Sequence, residues 1–415
     1  MRGLFVGLAT LDVIQLVSAL PQPDEKIRAR RVALAAGGPA ANAAVAFAQR
    51  FPRVSTVSAS SQPHSGSKPQ SASQPHTAGP SQAVPGPHTA AHPQEAPGPH
   101  TCASLNRADE AILLTRLSAD LVGNLIRADL EEHQVTVHAH SLPAGVSSTV
   151  ATILVTESTG ERAVISATDQ RPVQPEPAEI ALDLHDLHSI DVIETDGYET
   201  DLTLAVLQAG RAHGIPTVLD GGSWKPYMEQ LLPYIDVAIV SEAFAGTCAQ
   251  LWPGPESSSQ VRPGPLNHTQ LSPNQPNGAQ PNNNHASGAQ TSRNHASSAP
   301  LNRNRASESQ PFHSQASEAS HALFAYLEQF GVQYAAITRG PRPILYHAAG
   351  KYGEVRPCQV AAVDTLGAGD FFHGAFTKSI AGKPLNETTF VAGLHHGAQI
   401  AAQSIQSFGT RTWLR

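Results

Sequence analysis

Near its C-terminal end the chain reads Val363-Asp364-Thr365-Leu366-Gly367-Ala368-Gly369-Asp370, then runs straight into the helical pattern Phe371-Phe372-His373-Gly374-Ala375-Phe376. Two glycines around an alanine let the backbone turn with its amides pointing one way. A helix start adds unpaired N–H groups and the positive end of a dipole, so an anion placed there is stabilised. A carboxylate at the same spot, Asp370, makes chemical sense if it takes a proton beside a phosphoryl group in transfer. The competing reading is a glycine turn in which Asp370 only caps the helix. A second stretch, Ala36-Gly37-Gly38-Pro39-Ala40-Ala41-Asn42-Ala43-Ala44-Val45-Ala46-Phe47, also sets glycines before a helix. Gly37 and Gly38 permit close approach of a ligand to the backbone. Asn42, in the first turn, offers both a donor and an acceptor to hydroxyls, although a plain turn and packed helix would read the same.

Elements that could position these residues alternate along the chain. Strand-like runs fall at Leu4–Thr10, Ala111–Leu117, Asp191–Thr195, Thr217–Leu219, Val237–Val240 and Tyr334–Thr338. Helical patterns fall at Ala40–Arg50, Asp120–Glu132, Asp201–His213 and His321–Phe330. The series DVIETDG, helix, IPTVLDGG, helix, DVAIVSE is a repeated βα unit, which predicts a mostly parallel sheet covered by helices. Lys26–Leu34, Val135–His140, Ser148–Thr156 and Ala163–Ser166 read instead as strands without intervening helices, with a hairpin turn at Ser158-Thr159-Gly160. They predict a small antiparallel sheet, spanning about 26–34 and 135–166, that closes over the site as a lid.

Two segments break the pattern. Residues about 55–108 are rich in Ser, Gln, Pro, His, Ala and Gly, and residues about 253–318 in Asn, Ser, Gln and Pro with echoes such as NNNHASGAQ and SRNHASSAP. Neither has the apolar content to offset chain entropy, so both read as disordered insertions in one domain. Removing them leaves roughly 290 residues, the size of a single large α/β domain. The histidines of the first insertion (His76, His88, His92, His100) read as composition of a solvated segment rather than as metal ligands.

Composition removes several function classes. A formal net charge of −7 without a basic stripe argues against nucleic acid as a partner. Three separated cysteines, Cys102, Cys248 and Cys358, form neither a zinc pattern nor a disulfide framework and fit a reduced cytoplasm. The N-terminal apolar run is interrupted by Asp12 and reads as a buried strand rather than a signal peptide. No apolar run reaches the roughly 18 residues of a membrane span.

Taken together, GGPAANAAVAFA and DTLGAGDFFHGAF resemble the two signatures of the ribokinase-like (PfkB) carbohydrate kinases. Asp12 on the first strand, Ser118-Ala119-Asp120 with Gly123, the GER hairpin at 160–162 and Thr338-Arg339-Gly340 extend the likeness over the chain outside the insertions. GGPAA, FHGA, Leu219-Asp220-Gly221-Gly222 and Ser241-Glu242 lean toward the ketohexokinase and sulfofructose-kinase branch. The resemblance implies a three-layer α/β/α core with a β-sheet lid, ATP with Mg2+, and phosphorylation of a sugar hydroxyl, with a ketose attacked through a primary hydroxyl as the expected acceptor. It leaves room for a monovalent cation such as K+. Under it, Asp370 is the general base and the amides of Gly367, Ala368 and Gly369 form the anion hole. Asp12, Gly37, Gly38 and Asn42 hold the sugar. Thr338, Gly340, Asp364, Thr365 and Gly409 meet ATP.

One departure stands out. Where the family carries an NxxE element tied to magnesium and phosphate, this chain has Ser241-Glu242-Ala243-Phe244, leaving a displaced Glu242 as the metal-side candidate. That departure keeps a second function in view, a catalytically weak sugar-binding sensor of the same fold. A nucleoside kinase is a third, though lid strands without Phe, Tyr or Trp speak against it. His373 reads as a helix residue near the site, and Trp224 as an open case between ligand contact and packing. A lid with exposed edges suggests a homodimer.

Overall fold

The computed structural model describes residues 1–49, 109–167, 184–251 and 315–414. The chain divides into one unit of Met1–Ala48 with Asp109–Arg415 and a second, Gln49–Ala108, almost wholly outside the described residues. Both expected insertions fall outside them as well, except that the second gives way to a helix already at Gln315.

In the first unit nine strands form one sheet. Parallel strands β1 (Arg2–Val6), β4 (Glu110–Leu117), β5 (Val135–Ser141), β8 (Val192–Thr195), β9 (Thr217–Gly221), β10 (Val237–Ser241) and β11 (Tyr334–Arg339) carry an antiparallel hairpin, β12 (Arg342–Ala348) and β13 (Lys351–Val355), at one edge. The order is β13-β12-β11-β10-β9-β8-β1-β4-β5. Interior strands are near-continuous apolar runs because both faces are covered. Successive residues alternate between the two faces. Phe5 packs with α1 (Pro39–Ala48), α6 (Ala368–Ile380) and α7 (Glu387–Ser404). Leu4 and Val6 pack on the other side with α3 (Thr200–Ala212), α4 (Glu242–Leu251) and α5 (Gln315–Glu328). This is the expected ribokinase-like three-layer arrangement.

The small sheet is present, but its membership differs from the sequence reading. It runs in the order β3-β2-β6-β7, from β2 (Thr10–Val17), β3 (Arg31–Gly37), β6 (Val150–Thr156) and β7 (Arg162–Ser166). The run expected as one strand over Leu4–Thr10 ends at Val6, and the chain re-enters the small sheet at Thr10. Asp12 therefore lies on the second strand, inside the lid, and not on the first strand of the core. Val135–Ser141, expected in the lid, pairs in parallel with β4 at the edge of the main sheet after the crossover helix α2 (Leu121–Glu132). The expected strand from Lys26 starts only at Arg31. The sheet is mixed rather than antiparallel, since β2 and β6 run parallel. Its register puts Asp12, Ile14 and Leu16 on one face with Ala35, Ala33 and Arg31 across β3, and with Ala151, Ile153 and Val155 across β6. Ile14, Leu16, Ile153 and Val155 cluster there over Phe408.

Candidate active site

Asp370 sits in the first turn of α6, whose N-cap is Gly367 at φ 74, a conformation that excludes most side chains. A Cβ on Gly367 would also press within 2.9 Å of the Phe371 ring. Asp364 builds the approach to this turn. One of its oxygens accepts the Leu366 N–H at 3.0 Å and the other the Gly409 N–H at 2.9 Å. First-turn amides of Gly369 and Asp370 have no acceptor behind them in the helix, whereas the Ala368 N–H is turned toward the Thr365 carbonyl at 3.4 Å. Of the expected set, Ala368 is thus the amide already engaged, while Gly367, Gly369 and Asp370 donate to no backbone acceptor among the described residues.

Asn42 meets Asp370 because α1 and α6 lie backbone to backbone. Gly374 is the point of closest approach, where a Cβ would fall 2.1 Å from the Ala43 carbonyl oxygen. Across this contact Asn42 Nδ2 donates to Asp370 Oδ2 at 2.8 Å. Arg411 fixes the amide's orientation, since its Nη1 donates to Asn42 Oδ1 at 3.0 Å and a guanidinium can only donate. Arg411 in turn donates to the Ala36 carbonyl at 2.7 Å and to Asp129 Oδ2 at 2.9 Å. Asp12 completes the group. It is 4% exposed, its Oδ1 accepts from the Thr10 hydroxyl at 2.6 Å, and it occupies the space a side chain on Gly37 would need. Burial pushes the Asp12 carboxyl up to about 6, with the Asp370 charge adding to the rise and the Thr10 hydrogen bond and Arg411 opposing it. Gly38, at φ 96, faces the Leu8 carbonyl, which a Cβ would approach to 2.3 Å.

Beside this polar corner lies a cleft of about 490 Å³. Arg162, Thr338, Gly340, Thr365 and the Asp370 neighbours Ala368 and Gly369 border it. An apolar wall follows from Ile344, Val360, Phe372, Ala398, Ala402 and Ile405. Thr338 also ties β11 to β10 by donating to the Val240 carbonyl at 3.3 Å. Arg162, on the lid face that carries Asp12, reaches the loop before α6 and donates to Thr365 Oγ1 at 2.9 Å.

Other expected residues fall elsewhere. Gly409 and Asp364 are not among the residues bordering the cleft. Gly409, at φ 82, lies under lid residue Ala33 and is bound to Asp364, so both shape the loop rather than line the cleft. Glu242 is exposed and its carboxylate is taken by Arg342. Among the described residues no group of three His, Cys, Asp or Glu side chains could hold a metal ion. Trp224 packs edge-on against Phe244 and Tyr326 and is not among the residues bordering the cleft. Asp120 caps α2 and is held near 2 by hydrogen bonds from Ser118, Ser147 and the Gly123 amide.

Beneath the corner lie acids that the sequence reading treated only as strand ends. Asp196 accepts the amides of Leu8, Ala40 and Tyr198, and burial pushes it up to about 7. Glu194, pushed up to about 8 by burial, accepts the Thr377 hydroxyl. Arg162 and Arg411 were also missed. Arg162 belongs to the quoted GER hairpin, but nothing in the sequence sends it to Thr365. Arg411 follows a glycine turn with no distinguishing spacing.

Residues 276–414 match the model of the pfkB family carbohydrate kinases. Over 86 residues the chain is 42% identical to the ribokinase of Schizosaccharomyces pombe, a stretch covering 20% of this chain and 26% of that protein. The match thus spans about a quarter of the length of the curated relative. Similar solved structures cover the whole chain. A ribokinase from Giardia lamblia has a TM-score of 0.62 at 14% identity, with 100% of this chain and 97% of that one covered. An Arabidopsis thaliana ribokinase complexed with ribose and ATP has a TM-score of 0.55 at 17% identity, with 100% and 98% covered. The likeness to solved structures establishes the ribokinase-like fold, and the family model and the curated relative each match only part of the chain.

Proposed function

We propose that this protein transfers the γ-phosphoryl group of ATP to a hydroxyl of a sugar or sugar derivative, with a ketose attacked through a primary hydroxyl as the acceptor. The observation that carries the reading is the meeting of Asp12, Asn42 and Asp370, from strand, helix and helix, next to the Ala368–Gly369 turn that borders the cleft. Two carboxylates and an oriented amide suit a neutral polyol. Asp370 takes the proton of the attacking hydroxyl, and Asn42 fixes which oxygen does so. The amides of Gly369 and Asp370 and the positive end of α6 stabilise charge on the transferring group. Gly37 makes room for the sugar-side Asp12 carboxyl and Gly38 for the Leu8 carbonyl, and Arg162 brings the lid against the loop that holds the phosphates.

Magnesium enters with ATP as part of the co-substrate and neutralises phosphate charge while keeping water ligands. The exposed Glu242–Arg342 pair does not fit a metal ligand, so no step is routed through it. A monovalent cation has a better match. The hydroxyls of Ser407 and Thr410 are buried without a hydrogen-bond partner, in the segment bound to Asp364 through Gly409. That oxygen set suits K+, which would add positive charge to the anion-binding turn. The outer lid face exposes Val32 and Leu34 (61% each) and Ile165 (68%), and supports a homodimer through the lid. A reduced, cytoplasmic setting accords with free Cys248 and Cys358.

The test is ADP release from Mg-ATP across ketoses, aldoses including ribose, and nucleosides, with Asp370→Asn alongside. A sugar that drives turnover, and a loss of about 10²–10⁴ in kcat for the variant, is the expected result. Sugar binding without turnover would instead favour the sensor reading, for which the Glu242–Arg342 pairing is the motive. Turnover of nucleosides alone would overturn the sugar assignment.

A further inference from the structure

His373 follows Asp370 by one turn of α6, and its side chain is 4% exposed. Its Nδ1 lies 2.7 Å from the Gly369 carbonyl oxygen and its Nε2 lies 3.1 Å from the Ile239 carbonyl oxygen. A carbonyl oxygen only accepts, so each ring nitrogen must present a hydrogen. A neutral imidazole has one N–H, and either tautomer would set a ring lone pair against a carbonyl lone pair in a buried place. The two carbonyls together select the imidazolium. Its counter-ion is in place, because Asp220 Oδ2 from β9 lies 3.3 Å from Nδ1. Glu194 faces the ring from β8, and Asp370, on His373's own helix, acts on Asp220. Burial works against the charge, but the Asp220 carboxylate and the two carbonyls outweigh it and move the ring's pKa upward, with Glu194 adding to the rise as it ionises.

We propose that His373 is a positioning residue carried as a permanent imidazolium, which ties the anion-binding turn to β10 and polarises the Gly369–Asp370 peptide. The Gly369 oxygen and the Asp370 N–H belong to one amide group. A charged donor on the oxygen draws electron density from the nitrogen and strengthens that N–H as a donor. The same N–H is one of the first-turn amides turned toward the transferring phosphoryl. The charge therefore acts on the phosphate side through a peptide bond, without touching substrate, and adds to the helix dipole. What the turn does rests on the kinase reading, but the charge state of His373 does not.

Full-length protein labelled with 15N-histidine gives the first test, by long-range proton–nitrogen correlation of the ring nitrogens. The His373 signals are assigned by their loss in His373→Gln. Both nitrogens are expected in the protonated form with no titration from pH 6 to 8.5. A neutral tautomer at pH 7, or a titration step in that interval, overturns the proposal. Should His373→Gln fail to fold, Asp220→Asn serves instead. Removing the counter-ion is expected to bring one previously silent histidine into titration within the interval, and no new titration overturns the pairing. In kinetics, His373→Gln is expected to lower kcat about tenfold, with the sugar KM within twofold and kcat expressed per ATP-binding site. An unchanged kcat per site means the ring only supports folding and overturns the positioning role. If the wild type turns over no sugar, the kinase reading and the positioning role both fall, while the charge state is still decided by the spectra.

Discussion

Asp12 is held in a place that disfavours its charge, and Asp12→Asn isolates the cost. The carboxyl is lifted from its ordinary 3.8 to about 6, mainly by burial and further by Asp370. A carboxyl whose folded pKa is raised binds its proton more tightly folded than unfolded. It therefore favours the folded state at low pH and disfavours it increasingly as pH rises from about 4 to about 6. At roughly 1.4 kcal/mol per pH unit the ionised group costs the empty protein about 3 kcal/mol at neutral pH. Asparagine fills the same space against Gly37, and its oxygen still accepts the Thr10 hydroxyl, so the substitution removes the charge with little change of shape. Urea unfolding followed by tryptophan fluorescence at pH 4 and pH 7.5 measures the difference between the two proteins. We expect Asp12→Asn to be more stable at pH 7.5 by up to about 3 kcal/mol, with the gap closing toward pH 4. The variant should also lose sugar affinity, because an amide cannot accept from hydroxyls at both of its polar atoms. Equal stability at pH 7.5, or a gap that widens at pH 4, would refute the reasoning.

Gly374→Ala should force α1 and α6 apart, since its Cβ would meet the Ala43 carbonyl at 2.1 Å. A stability loss of about 1–3 kcal/mol or more, with a matching fall in kcat as Asn42 leaves Asp370, would show in urea midpoints and in ADP release. Arg411→Met frees the Asn42 amide to turn over and leaves Asp129 with the Ala36 amide but without its guanidinium; sugar KM should rise about tenfold, roughly the loss of one charge-assisted hydrogen bond, while the ATP KM stays within twofold. If Ser407 and Thr410 face a cation, replacing tetramethylammonium chloride by KCl at equal ionic strength should raise the melting temperature of the wild type, and Ser407→Ala should blunt the rise.

The sequence carried those parts of the fold that local physics decides. Gly367, Gly38 and the helix starts after them were legible because a glycine turn running into a helix has few other uses. The βα alternation from Asp191 to Val240 was legible because strands buried on both faces lose their polar residues. Residues 4–17 were not, because one apolar run serves two sheets. The break falls at Leu8, whose amide is held by Asp196, 188 positions away. Val135–Ser141 misled for the opposite reason. As an edge strand of the main sheet it alternates with polar residues, which imitates a lid strand. The β12–β13 hairpin and α7 went unread because their apolar residues are small or interrupted. At the site, Asp370 and Asn42 announced themselves by type and setting, whereas Arg162 and Arg411 matter only through partners 203 and 369 positions distant.

Those two arginines explain how separate signatures make one site. The lid contributes Asp12 on its inner face and, on the same face, Arg162, which holds Thr365 of the anion-binding loop. The C-terminal segment contributes Gly409, which holds Asp364 of that loop, and Arg411, which holds Asn42. Under the proposed function, sugar side and phosphate side are therefore braced by the same two connections. A hydroxyl that donates to Asp12 stabilises a carboxylate otherwise costly to keep ionised, and so favours the lid position in which Arg162 reaches Thr365. Sugar should then tighten ATP binding, and by linkage ATP should tighten sugar binding by the same factor. Calorimetric titration of sugar with and without a non-hydrolysable ATP analogue measures that factor, and in Arg162→Ala it should fall toward one.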